Sequence, residues 1–138
     1  MREMRILAET GTKVGRSPEA SLGDCPYSEL LFRGVNVVLT SGSTGVVSSY
    51  DQLRNVREIR MIEEFRQHGQ RPSAAHLLDS ITIGAAKALQ MADRIGSLEP
   101  GQQADIITIN MDQPHLYGWQ DDPVGRIVDA ANGSEVQS

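Results

Sequence analysis

The chain has 138 residues, with 13 Lys plus Arg against 18 Asp plus Glu, a formal net charge of −5, three His and one Cys. A hydrophobic fraction of 39% with 22% charged residues supports one folded acidic domain whose core is aliphatic, since two Phe, three Tyr and one Trp are its only aromatic residues. The acidity and the scatter of basic residues argue against nucleic-acid binding, no apolar run approaches the roughly 20 residues of a membrane helix, and a full (β/α)₈ barrel, at about 250 residues, is out of reach.

From the N-terminus, residues 3–9 are good helix formers with Met4, Leu7 and Ala8 at helical spacing, and Gly11 stands where a left-handed cap would end them. Thr12 to Gly15 is a brief extended run that meets Pro18, which biases Ser17 away from helix and predicts a strand ending in a loop. Residues 21–26 are turn-like, and 27–33 form a short helix closed by Gly34. The β-branched run 35–39 predicts a strand covered on both faces, as in parallel α/β sheets. A polar glycine-rich loop, 40–45, follows at the strand's C-terminal end, where α/β folds build their sites.

Residues 51–67 give the clearest helix, with Leu53, Val56, Ile59 or Arg60, Met61 or Ile62, and Phe65 as its stripe and His68-Gly69 at its end. After Arg71-Pro72, Ser73 caps a second helix predicted to run to Leu89, and Gly84-Ala85-Ala86 implies close packing against another backbone. Residues 96–101 form a turn-rich bend, Ala104 to Asn110 an alternating strand, and 112–138 a loop-like tail broken by Gly118, Pro123, Gly125 and Gly133. The strand-helix alternation favours parallel pairing.

Residue types with chemical potential are sparse. His68, His76 and His115 lack the H-x-H or H-E-x-x-H spacing of a metal site. His68 suits a cation at a helix C-terminus, His76 lies near a helix start, and His115 follows Pro114 in a surface loop. Cys25 has no His near it in sequence to form a thiolate pair, and as a single cysteine it permits no internal disulfide; with no secretory signal visible, the cytoplasm is the expected compartment. The loop from Ser41 to Gly45 offers backbone N–H groups to an anion but has no Lys after its last glycine, so it fails the Walker pattern.

The run Ile81-Thr82-Ile83-Gly84-Ala85-Ala86-Lys87-Ala88-Leu89 and the following I-G-x-L-x-x-G-x-x-A-D, from Ile95 to Asp105, resemble the C-terminal signature of the metal-dependent amidohydrolase superfamily. Asp112 to Leu116 and Asp122 to Val136 are similar to its chlorohydrolase, cytosine deaminase-like and adenosine-analogue deaminase branch, and Leu7 to Ser21 resembles that branch's approach to the seventh barrel strand. The resemblance implies an α/β fold consisting of a partial (β/α)₈ barrel, its last two strand-helix units in residues 1–95, plus part of a small β-sandwich and tail in 96–138. The seventh strand would be Thr12 to Arg16, the eighth Val35 to Thr40, and a sandwich strand Ala104 to Asn110.

The leading H-x-H and the metal and acid-base groups of the fifth and sixth strands have no counterpart here. Where the family's eighth strand ends in G-T-D-G, this chain has Leu39-Thr40-Ser41-Gly42-Ser43, so Ser41 or Gly42 stands at the aspartate that binds metal and takes a proton from water. A neutral hydroxyl or a glycine cannot replace that carboxylate. Where the seventh strand ends in a His before C-P or N-P, Arg16-Ser17-Pro18 stands, and a guanidinium only donates.

The resemblance thus implies hydrolysis of C–N or related bonds in heterocycles as the family chemistry, with zinc or iron in the intact family. For this chain alone it implies no catalytic residue, no metal ligand and no cofactor. Arg16, Ser17 and Ser41 are the expected substrate-binding positions, by their place at strand ends. The expected partners are a second copy or the missing barrel portion, with a small-molecule substrate only in a completed barrel, and neither nucleic acid nor membrane. Two alternatives stay open: activity as one part of a split or oligomeric hydrolase, and a small anion-binding α/β module.

Overall fold

The computed structural model describes residues 2–22, 27–42, 49–66 and 70–137. Cys25, the Ser43-Thr44-Gly45 part of the polar loop and the His68-Gly69 helix end lie outside the described residues.

Helix α1 spans Arg2–Glu9 and stops at Gly11, whose φ of +64° is the left-handed conformation expected of a glycine cap. Strand β1, Lys13–Arg16, follows, then a 3-10 turn over Glu19–Leu22 and helix α2, Tyr27–Phe32. Strand β2, Asn36–Leu39, pairs with β1 in parallel, Lys13 opposite Asn36 and Arg16 opposite Leu39. The parallel pairing read from the alternation is therefore present. Val37 and Leu39 are buried while Asn36 and Val38 are half-buried, so β2 is covered fully on one face only.

Helix α3, Gln52–Arg66, is started by Asp51, whose Oδ1 accepts from the N–H groups of Leu53 and Arg54. Its buried face carries Leu53, Asn55, Val56, Ile59 and Glu63. Phe65, expected in the apolar stripe, is instead 79% exposed, and of the alternatives Met61 and Ile62 the former is 52% exposed and the latter half-buried. Two polar residues take inward positions because partners await them: Asn55 Nδ2 donates to Ser49 O at 2.8 Å, and Glu63 Oε1 accepts from the Tyr27 N–H at 3.0 Å, at the first residue of α2.

Ser73 caps as expected, its Oγ accepting from His76 N–H while His76 Nδ1 accepts from Ser73 N–H. The helix it starts does not reach Leu89. It divides into α4, Ala74–Asp79, and α5, Ile83–Ala88. The hydroxyls of Ser80 and Thr82 donate to the carbonyls of Leu77 and Leu78, competing with the continuing ladder. At the junction a Cβ on Gly84 would stand 2.7 Å from Asp79 O, the close backbone approach anticipated for the Gly-Ala-Ala run. Asn36 Nδ2 donates to Gly84 O at 3.1 Å and ties α5 to β2.

The alternating run 104–110 contributes only a two-residue strand β3, Thr108–Ile109, paired antiparallel with β4, Val136–Gln137. Between them the expected loop-like tail holds a helix, α6, Pro123–Ala130. Proline at its first position is compatible with a helix start, and Asp122 Oδ1 accepts from Gly125 N–H at 2.8 Å. Two of the four expected breakers, Pro123 and Gly125, therefore sit at a helix start. Val128 of α6 joins the main core with Val37, Leu39, Val56, Ile59 and Leu77, and Ala131 packs with Leu53 and Leu116 in a second cluster. Burial of such aliphatic side chains, about 1.5–3 kcal/mol each, holds the helices on the small sheet.

Candidate functional site

The C-terminal ends of β1 and β2 lie side by side, and their register places the sequence-assigned positions together. Thr40 N–H donates to Arg16 O at 2.9 Å, carrying the ladder one step beyond β2, and the strand ends then pass into Ser17 and Ser41-Gly42.

Ser17 is buried at 8% exposure and is the hub of the turn after β1. Its Oγ donates to Glu19 Oε2 at 3.2 Å and accepts from Ala20 N–H at 3.4 Å. Its carbonyl accepts from both the N–H and the hydroxyl of Ser21, each at 3.2 Å. Arg16 Nη2 donates to Ala20 O, and Arg66 Nη2 of α3 donates to Ser21 O at 2.5 Å. Arginine donors thus grip the turn's carbonyls from two sides.

Gly42 faces this turn with a φ of +63°. A Cβ there would stand 2.8 Å from Ser17 Cβ, 3.0 Å from Ser17 Oγ and 3.1 Å from Glu19 Oε2. Sequence reasoning brought Arg16, Ser17 and Ser41 to the strand ends but missed Glu19. The available signal was its place two residues after a serine, across a proline, where a short turn lets the serine hydroxyl reach it. Ser41 itself is half-buried.

Elsewhere, His115 Nε2 lies 3.4 Å from Glu135 Oε1, at the C-terminal turn rather than the strand ends. Glu135 accepts from Asn132 N–H and Ser134 Oγ, each at 2.6 Å, and the Ser134 hydroxyl above all holds its carboxyl below the ordinary glutamate value. His76 is exposed and engaged in the α4 cap. Burial pushes the Tyr27 hydroxyl above its ordinary pKa. Among the described residues no group of three or more His, Cys, Asp or Glu is placed to hold a metal ion, and no helix is long and apolar enough to cross a membrane.

The sequence pattern of the amidohydrolase family matches residues 19–136. The chain belongs to the amidohydrolase family. A 5-methylthioadenosine/S-adenosylhomocysteine deaminase of Moorella thermoacetica is 33% identical over 141 residues, an alignment that takes in 99% of this chain and 33% of the relative. An adenosine deaminase from Xanthomonas campestris with bound zinc superposes with a TM-score of 0.84 at 28% identity, over 98% of this chain and 32% of that one. A zinc-complexed atrazine chlorohydrolase from Arthrobacter aurescens TC1 shares the fold, with a TM-score of 0.82 at 24% identity over 99% of this chain and 31% of that one.

The chain spans about a third of the length of these amidohydrolases, and its α/β arrangement is correspondingly a part of their barrel fold. Both structural neighbours bind zinc. The strand-end residues here do not fit that metal. Ser41 and Gly42 offer no carboxylate, Arg16 offers no acceptor nitrogen, and the Glu19 carboxylate beside them accepts from Ser17.

Proposed function

We propose that this chain represents the last two strand-helix units of an amidohydrolase that hydrolyses a C–N bond of a heterocycle, with adenosine-like nucleosides as the substrate class, and that by itself it turns over nothing. The likeness to deaminases of adenosine-type compounds supports the substrate class. The observation that carries the second half is the pair of strand ends, where Arg16-Ser17 and Ser41-Gly42 occupy the positions from which the resemblance draws a histidine and a metal-binding aspartate. Hydrolysis of this kind needs an activated water and a group to take its proton, and neither a hydroxyl, a glycine nor a guanidinium performs that task at neutral pH. Arg16, Ser17 and Ser41 are the proposed substrate-facing positions of the completed site, and the cytoplasm is the proposed compartment.

The test is ammonia release from adenosine, 5-methylthioadenosine and cytosine by the purified chain supplied with zinc or iron. The expected result is no turnover above buffer. Turnover that scales with protein and is abolished by a chelator contradicts the reading.

A second reading, activity as one part of an assembly, is favoured by exposed apolar surface. Leu89 and Leu98 are 68% and 80% exposed beside Ile106 and Ile107, around a groove of about 490 Å³ between α5 and the segment before β3. Light scattering coupled to size exclusion is expected to show association; a compact monomer throughout a dilution series counts against it.

A further inference from the structure

We infer that the metal position at the end of β2 is blocked rather than merely vacated: the turn from Ser17 to Glu19 fills the space that a ligand-bearing side chain at Gly42 needs. The inference rests on the proposed reading that the strand ends have lost their ligands, and it adds why a single reversion does not restore one.

Two kinds of close approach meet at Gly42. The first is steric. A Cβ at 2.8 Å from Ser17 Cβ is closer than carbon atoms approach, so one of the two strand ends must shift. Ser17 cannot readily yield, because its carbonyl accepts two hydrogen bonds from Ser21, its hydroxyl bridges Glu19 and the Ala20 N–H, and its side chain is buried. The second is electrostatic. Glu19 Oε2 lies 3.1 Å from the position of that Cβ, so an aspartate at 42 would bring its carboxylate against the carboxylate of Glu19. Backbone conformation does not separate these effects from each other, since φ of +63° burdens any side chain; asparagine and aspartate tolerate it alike, and comparing them isolates the charge.

Gly42, one of the two candidate positions for the missing aspartate, has thus become a joint. The turn after β1, held in shape by its own hydrogen bonds, closes over the end of β2 by direct packing against Gly42, and glycine is the residue the joint requires.

The experiment compares melting temperatures of the whole chain carrying Gly42→Asn and Gly42→Asp, each in the wild-type, Ser17→Gly and Glu19→Gln backgrounds, with and without zinc. Gly42→Asn is expected to lower the melting temperature by roughly 5 °C or more, with much of that drop absent in the Ser17→Gly background, where the opposing Cβ is gone. Gly42→Asp is expected to fall further, and the additional drop to disappear with Glu19→Gln. Zinc is expected to raise none of these. If Gly42→Asp does not fold, the asparagine series carries the steric half alone. Gly42→Asp as stable as wild type, equal losses in every background, or a zinc-dependent rise for Gly42→Asp would overturn the inference. None of these would give the unmodified chain deaminase activity, so failure here is distinguishable from failure of the proposed function.

Discussion

Replacing Gly125 by alanine is a sharp probe of how α6 begins. Glycine in the third position of a helix is costly to the helix, and exchanging it for alanine returns up to about 1 kcal/mol in a neutral setting. Here the setting is not neutral. The Asp122 carboxylate caps the helix through the Gly125 N–H at 2.8 Å, and a Cβ on residue 125 would lie 2.1 Å from Asp122 Oδ2 and 2.7 Å from its Cγ. The carboxylate is the mobile end of a side chain, so it swings out and the cap is lost, at a cost of about 1 kcal/mol. The two terms cancel, and Gly125→Ala alone should change stability by no more than about 0.5 kcal/mol. In an Asp122→Ala background no cap remains to lose, and the same substitution should stabilise by about 1 kcal/mol. Urea unfolding followed by circular dichroism on the four members of the cycle yields the coupling, expected near 1 kcal/mol. A gain of the same size in both backgrounds would refute the reasoning, because it would mean that the carboxylate caps without needing the space above Gly125.

Ile59→Ala should cost about 2–5 kcal/mol by urea unfolding, since Ile59 is fully buried in the cluster that joins α3, β2 and α6; a loss under about 1 kcal/mol would contradict that packing. Tyr27 is fully buried, and among the described residues its hydroxyl makes no hydrogen bond of ordinary geometry although the Ser80 side chain lies close enough to favour its ionised form, so Tyr27→Phe should change stability by no more than about 1 kcal/mol. A clear loss would show that the hydroxyl is satisfied. Glu135 has a folded-state pKa below its unfolded value of 4.5, so its contribution is fully present above that pH and disappears as pH falls through the folded value. Wild type and Glu135→Gln should therefore differ most at neutral pH and converge in acid; a difference that does not change with pH would contradict the assignment.

Much of the chain's local structure is legible in residues that act on their own backbone. Gly11 and Gly34 end α1 and α2 with positive φ, Ser73 caps α4, and the β-branched run forms β2. The errors arise where a neighbour decides. The periodicity from Leu77 to Leu89 reads as one helix, and the break depends on two hydroxyls and on the approach of Gly84 to Asp79. Pro123 and Gly125 resemble breakers until Asp122 is seen to cap the helix they open. The alternation from Ala104 to Asn110 describes a strand, but only Thr108 and Ile109 pair with another strand, and that pairing is with a segment far along the chain. The candidate site divides in the same way. Strand-end positions follow from the pattern, whereas the contact of Ser17 and Glu19 with Gly42 is a meeting of two segments more than 20 residues apart in sequence, which no local signal records.

That the strand ends of this amidohydrolase chain hold no metal is read from the zinc bound per chain after equilibrium dialysis against zinc, measured by elemental analysis. Far less than one zinc per chain is expected, unchanged by Ser41→Ala. One tightly held zinc per chain, lost on substitution at the strand ends, would contradict it.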